Sequence, residues 1–209
     1  MKLAIFGATG KTGGHAMQHA LAGGHHVRVL VRTPSKLETK HERLEIVQGD
    51  ATKQADGARV VAGCDAVLAA LGPEGLSATT LRQDAAKAVA AAMAEQGVKR
   101  LVWLSAFGVG DNIAQARRST FIGVLFMKTL LKKTYVDAAA AEQVLRASGL
   151  DYVLCRPPEL TNKAARGGVV EVPEDQKLPR LRIPREDVAI WMLKASTTGA
   201  FDRQAVTIC

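Results

Sequence analysis

Apolar residues in this chain cluster in short runs separated by longer stretches of mixed spacing, which is the pattern of strands alternating with helices. Leu3-Ala4-Ile5-Phe6 opens the series, a helix is expected over 11–21, and Val27-Arg28-Val29-Leu30-Val31 returns as a second, β-branched strand. Leu44-Glu45-Ile46-Val47 gives a third strand ending at Gly49-Asp50-Ala51, and the apolar run 65–72 reads as a fourth, as expected of a parallel strand covered on both faces. An alanine-rich helix over 79–96 stops at Gly97, a residue suited to a helix C-terminus. The fifth strand is 100–105, a helix over 135–147 ends near Gly149, and 151–155 forms the sixth strand. This alternation predicts an α/β fold with a doubly wound, Rossmann-like parallel sheet. The regularity breaks at Arg156. Pro157-Pro158, a loop through Gly167-Gly168, the apolar stretch 169–172, a helix over 185–194 and a last strand over 205–208 are expected to form a small cap, 156–209. No linker, repeat or low-complexity segment sets the cap apart, so 1–209 is expected to be a single domain.

Between the first strand and the first helix lies Gly7-Ala8-Thr9-Gly10-Lys11-Thr12-Gly13. Glycine at such a turn permits positive φ and close approach to a ligand, and the unpaired N–H groups of the helix start face an anion such as a dinucleotide pyrophosphate. The spacing is G-x-x-G-x-x-G, matching the dinucleotide fingerprint in kind, and glycine turns also occur in loops without function. The surrounding strand–helix–strand unit is the context the motif needs. Arg32 ends the second strand, roughly 20 residues after the turn, where an acidic residue would select NAD. Arg instead forms paired bonds to a 2′-phosphate, which favours NADP, and Lys36 adds a second positive charge. The alternative is that both are solvated loop charges. In an open parallel sheet the ligand crevice lies beyond the carboxyl ends of the strands. Residues 7–13, Arg32, Asp50, Leu71, Gly72, Ser105 and Pro157 are expected to converge there.

Composition narrows the class. With 209 residues, 47% apolar and 23% charged, the chain is long enough to bury a real core and ordinary for a globular protein. No apolar run reaches the roughly 20 residues that span a bilayer, and no signal-peptide pattern opens the chain. A cytoplasmic location and no membrane association are expected. Cys64, Cys155 and Cys209 lack C-x-x-C spacing and read as reduced thiols. His15 and His19 form an i, i+4 pair without a Glu or third ligand beside them, so they are expected to be surface histidines, and no metal is expected. The net charge of +8 raises nucleic acid as a partner. The basic residues are dispersed as doublets such as Lys99-Arg100 and Lys132-Lys133, without a base-reading motif, and an anionic cofactor accounts for the excess. No nucleic-acid partner is therefore expected.

Gly7-Ala8-Thr9-Gly10-Lys11-Thr12-Gly13, Val31-Arg32, Gly49-Asp50, Ala70-Leu71-Gly72, Leu104-Ser105-Ala106-Phe107 and Ser148-Gly149-Leu150-Asp151-Tyr152 with Arg156-Pro157-Pro158 occur in that order. Together they resemble the NmrA-like, atypical short-chain dehydrogenase/reductase family, and within it the biliverdin-IXβ/flavin reductase branch. The resemblance implies that Gly7, Thr9, Gly10, Lys11, Thr12 and Gly13 hold the pyrophosphate and that Arg32 and Lys36 hold the 2′-phosphate. It places Asp50 and Ala51 beside the adenine, Leu71 and Gly72 beside the adjoining ribose, and Ser105, Pro157 and Pro158 at the nicotinamide end. Two departures bear on chemistry. Ordinary short-chain dehydrogenases carry Tyr-x-x-x-Lys, but Tyr135 is followed four residues later by Ala139. The branch has a His after the two prolines, whereas this chain has Glu159, which disfavours an anionic substrate and cannot act as an imidazole.

These features are expected to make an NADPH-dependent oxidoreductase that passes hydride to a small, planar acceptor such as a flavin or quinone, with Ser105 as the catalytic residue that places or polarises it. Hydride chemistry belongs to the cofactor, and solvent can protonate a reduced flavin. The alternative is a non-catalytic, NADP-binding redox sensor. Glu142 is expected to form a surface ion pair with Arg146 at i, i+4. The segment 119–133 reads either as a lid or as an amphipathic helix packed on the sheet. A monomer or weak homo-oligomer is expected.

Overall fold

A computed structural model describes residues 1–72, 80–120 and 131–209. The elements run β1 (Lys2–Phe6), α1 (Lys11–Ala22), β2 (His26–Val31), β3 (Leu44–Gln48), α2 (Gln54–Val61), β4 (Ala66–Ala69), α3 (Leu81–Glu95), β5 (Arg100–Leu104) and α4 (Ile113–Ser119). They continue with α5 (Lys132–Ala147), β6 (Asp151–Arg156), β7 (Glu159–Thr161), β8 (Glu171–Val172), β9 (Arg182–Pro184), α6 (Arg185–Thr198) and β10 (Gln204–Ile208). Among the described residues the main sheet has the order β3-β2-β1-β4-β5-β6-β10-β8, parallel except for β8, which pairs antiparallel with β10. The α/β, doubly wound parallel fold follows the hydrophobic pattern. Along β1, Leu3 and Ile5 pack with Met17, Val188 and Met192, beneath the layer of α1 and α6. The alternate residues Ala4 and Phe6 pack with Val60, Val89 and Leu145 of the opposite layer, α2, α3 and α5. Period-2 alternation along a strand thus feeds two cores at once.

Several boundaries differ from the sequence reading. β4 ends at Ala69 because Ala70, Leu71 and Gly72 leave the sheet to line the cleft. α2 is absent from the hydrophobic pattern: an eight-residue helix with Gly57 in its middle gives too few periods to read. The C-terminal part is not simply a cap. β10 enters the main sheet beside β6, and α6 packs along α1, while β7 and β9 form a separate parallel pair. Two buried carboxylates hold neighbouring backbone segments in place. Asp137 on α5 accepts the backbone N–H groups of Arg82 (3.1 Å) and Gln83 (3.0 Å), capping the start of α3 from a neighbouring helix. Asp187 on α6 accepts the N–H of Gly167 at 3.0 Å and that of Arg166 at 3.0 and 3.2 Å, pinning the loop that precedes β8. Most of the segment 119–133, expected as a lid or as an amphipathic helix packed on the sheet, lies outside the described residues.

Candidate cofactor site

β1 and β4 are adjacent, yet the chain turns to opposite faces after them, so a crevice opens between their carboxyl ends. Gly7 occupies that crevice with φ of 86°. A Cβ there would stand 2.4 Å from the carbonyl oxygen of Ala70, so both the angle and the space require glycine. The turn closes through a bond from Gly10 N–H to Gly7 C=O at 2.9 Å, and α1 begins at Lys11 without a side-chain cap. Free N–H groups at this helix start are available to an anion.

A cavity of about 780 Å³ extends from this turn across the carboxyl ends of the sheet. Gly7, Thr9, Gly10, Lys11, Thr12, Arg32, Asp50, Ala51, Leu71, Gly72, Ser105, Pro157 and Pro158 all line it, so the sequence-predicted residues are brought together with two exceptions. Gly13 does not line the cavity. Its missing Cβ would lie 2.2 Å from the Gly7 carbonyl oxygen, so glycine there lets α1 seat against the turn. Lys36 lines a separate cleft of about 340 Å³ on the other side of the turn, which shares Thr9, Gly10 and Lys11 with the larger cavity. A short 3₁₀ turn at Pro34–Lys36 carries it away from the end of β2.

Asp50 is held in place from two directions. Its N–H donates to Asp56 at 2.8 Å, while its carboxylate accepts from Thr52 N–H and Oγ1, both at 2.9 Å. The Thr52 bonds, backbone first, lower the Asp50 pKa from the usual carboxylate value. Two arginines escaped the sequence reading. Arg185, the first residue of α6, lines the cavity beside the glycine turn, with Nη1 3.4 Å from Thr12 Oγ1 and Nε donating to Asn162 at 3.0 Å. Arg82, at the start of α3, lines the cavity near Gly72, its side chain 17% exposed and 3.9 Å from Asp137. Burial lowers the pKa of both guanidinium groups. Neither belongs to a sequence motif. Only the folding of α3 and α6 against the sheet brings them to the crevice.

The inner end of the cavity carries a buried ionic network in place of the expected surface pair. Glu142 is buried rather than solvated, and Arg146 is only a distant partner at 3.9 Å. Glu142 Oε1 accepts Arg156 Nε at 3.0 Å and Oε2 accepts Arg156 Nη2 at 2.5 Å. Arg156 Nη2 also reaches Asp111 at 2.5 Å. Burial works against the Arg156 charge, but the bonds from Glu142 and Asp111 prevail and raise its pKa. Helical spacing correctly put Glu142 near Arg146, but it cannot show that the stronger partner arrives from β6. Ser105 Oγ donates to Glu142 Oε1 at 2.5 Å. Glu159 does not line the cavity; it points to solvent and pairs with Arg182 at 2.9 Å, while its neighbour Leu160 faces inward. Tyr135 also lies off the cavity, and burial raises its phenol pKa against the opposing charge of Arg82.

His19 has a carboxylate partner that sequence spacing could not show: Glu186 of α6, 2.9 Å away. Among the described residues no group of three or more His, Cys, Asp or Glu is arranged to hold a metal. Cys64, Cys155 and Cys209 are buried free thiols, and burial pushes the Cys155 pKa up. Among the described residues no helix is long and apolar enough to cross a membrane.

The sequence profile of the NAD(P)H-binding family matches residues 7–198, which contain the turn, the cavity and the network. This chain belongs to the NAD(P)H-binding family. It is 33% identical over 184 residues to an uncharacterised chloroplastic protein of Arabidopsis thaliana, covering 83% of this chain and 64% of that one. The chain thus spans somewhat less than two thirds of that relative's length. It is 31% identical over 203 residues to the uncharacterised sugar epimerase YhfK of Bacillus subtilis, covering 90% and 85% respectively. A short-chain dehydrogenase/reductase of Veillonella parvula in complex with NADP superposes with a TM-score of 0.82 at 17% identity, over 99% of this chain and 93% of that one. ChuY, an anaerobilin reductase of Escherichia coli O157:H7, gives 0.81 at 21% identity, over 100% and 96%. These last likenesses establish the fold of this NAD(P)H-binding family member.

Proposed function

We propose that this protein is an NADPH-dependent reductase of the NmrA-like kind, close to the biliverdin-IXβ/flavin reductase branch, acting on a small, planar acceptor such as a flavin or quinone. The observation that carries this reading is the single cavity joining the glycine turn and Arg32 at one end to Ser105, Pro157, Pro158 and Leu160 at the other. Its volume falls in the range of roughly 300–1,000 Å³ typical of cofactor and ligand sites. The tight Gly7–Gly10 turn lining the cavity and the uncapped start of α1 fit a pyrophosphate. Arg32 at the carboxyl end of β2 would hold the 2′-phosphate, Arg185 adds positive charge beside the pyrophosphate, and Asp50 and Ala51 border the adenine.

When bound, NADPH supplies the hydride. The protein's part is to hold the nicotinamide against the acceptor and exclude water. Proline and leucine side chains at the inner end offer flat apolar surface for a planar ring. No Tyr or His is among the described residues lining the cavity, so this end has no dedicated proton donor of the tyrosine type. A reaction whose reduced product takes its proton from solvent suits such a site. ChuY, an anaerobilin reductase, shares this fold at 21% identity, so a tetrapyrrole belongs beside flavins and quinones among the acceptors tested.

The test is NADPH oxidation by purified protein with flavin, quinone and tetrapyrrole acceptors, followed by stopped-flow absorbance. Turnover with a planar acceptor at a catalytic rate is expected. Tight NADPH binding without turnover on any acceptor would replace this reading with the non-catalytic redox sensor.

A further inference from the structure

We infer that Glu142 fixes the hydrogen-bonding polarity of Ser105, so that the inner end of the cleft recognises a ligand group bearing hydrogen on nitrogen or oxygen rather than a bare carbonyl. The inference deepens the reading of the cleft as an NADP(H) site and rests on it. A serine hydroxyl has one hydrogen and two lone pairs, whereas a carboxylate only accepts. With Ser105 Oγ 2.5 Å from Glu142 Oε1, the hydroxyl hydrogen is directed at the carboxylate. Glu142 is not free to turn away. Both of its oxygens are gripped by the Arg156 guanidinium, with side-chain exposures of only 4% and 1%. The backbone N–H of Ser105 is also committed, donating to the Cys155 carbonyl at 2.8 Å. Ser105 therefore presents lone pairs to the cavity.

An acceptor-only hydroxyl selects its partner. An N–H or O–H of the ligand completes the hydrogen bond, whereas a carbonyl oxygen would meet lone pairs and stay unsatisfied in a desolvated corner. The commonest use of a serine in carbonyl reduction, donating to the carbonyl oxygen, is closed to Ser105 while Glu142 holds its hydrogen. Glu142 touches Ser105 and not the cavity, so it is a positioning residue. The complementary N–H is offered by two sources in the proposed reaction: the carboxamide of the nicotinamide, or an imide N–H of the acceptor such as that of a flavin.

The test compares matched pairs on the parent, Ser105→Ala and Glu142→Gln. One pair is NADPH and its 3-acetylpyridine analogue, in which a methyl ketone replaces the carboxamide, read by calorimetric Kd. The other is riboflavin and N3-methylriboflavin, read as KM and kcat with saturating NADPH. The parent is expected to prefer the N–H-bearing member of one pair by tenfold or more, and that pair identifies the source. Ser105→Ala should bring the preference within about threefold of unity. Glu142→Gln, whose amide can donate to Ser105 and free its hydrogen, should reduce the preference for the N–H-bearing member by tenfold or more. Equal affinity of the parent for both members of both pairs, or a preference unchanged in Ser105→Ala, overturns the inference. If Glu142→Gln does not fold, the Ser105→Ala comparison decides alone. Failure of the parent to bind NADPH would instead overturn the NADP(H) reading itself.

Discussion

Removing the Glu142 carboxylate separates two descriptions of this residue by a large margin of stability. Were it a solvated partner of Arg146, Glu142→Ala would cost at most about 1 kcal/mol, as exposed ion pairs do. The structure instead buries Glu142 against a fully buried Arg156, bound through Nε and Nη2. Breaking such a pair leaves an uncompensated buried charge and costs about 3–5 kcal/mol. Asp111 would remain as a partner, but its carboxylate is 57% exposed and screened by solvent, so the loss stays within that range. For a chain of this size, each kcal/mol moves Tm by about 2–4 °C. The expected fall is therefore about 6–20 °C, measured by circular dichroism or scanning calorimetry without ligand. Glu159→Ala, which breaks the exposed pair with Arg182, is the internal control and should move Tm by less than about 4 °C. Replacing the buried pair together, as Glu142→Leu with Arg156→Met, should recover much of the loss, because apolar residues of similar volume need no counter-charge. A Glu142→Ala variant within about 1 kcal/mol of the parent would refute the buried-pair description.

Gly13→Ala should lower stability by about 1–3 kcal/mol by forcing α1 away from the Gly7 carbonyl, and should weaken NADPH binding at the same time; unchanged Tm and Kd would show that the turn is looser than described. Tyr135→Phe should leave acceptor reduction within a fewfold of the parent, and a hundredfold loss with intact folding and NADPH binding would make Tyr135 the proton donor after all. Burial acts to raise the Asp111 pKa, but the bond to and charge of Arg156 outweigh it, so the folded value lies below the unfolded one of about 3.9. Its stabilising contribution is present above that pH and is lost as pH falls through the folded value, so Asp111→Asn should flatten the acid limb of a stability–pH curve below about pH 4; an unchanged limb would contradict this.

Much of the architecture was legible because it depends on local pattern. Leu3-Ala4-Ile5-Phe6 running into Gly7 specifies a strand and a turn within a few residues, and the approximate ends of α1, β5 and β6 follow from similar signals. The missed features depend on tertiary contact. Arg82 and Arg185 face the cleft only because α3 and α6 start at its rim, and an isolated arginine carries no periodic mark of this. Glu142 differs from its sequence pattern for the same reason: i, i+4 spacing names Arg146, while the partner that buries it comes from β6. Lys36 shows the limit of proximity in sequence, since the three residues between it and Arg32 turn it toward a neighbouring cleft. Gly13 was recognised as necessary, though the contact that requires it is with Gly7 rather than with the cavity.

The central claim is that this cleft is built for NADPH, with Arg32 reading the 2′-phosphate, and side-by-side calorimetric titration of NADPH and NADH against the parent and Arg32→Asp tests it most directly. A charge-assisted bond of this kind contributes about 1.5–3 kcal/mol, so the parent should bind NADPH at least tenfold more tightly than NADH. Arg32→Asp should abolish or reverse that preference while changing NADH affinity by only a fewfold. Equal affinity of the parent for both cofactors, or equal losses for both in Arg32→Asp, would contradict the account.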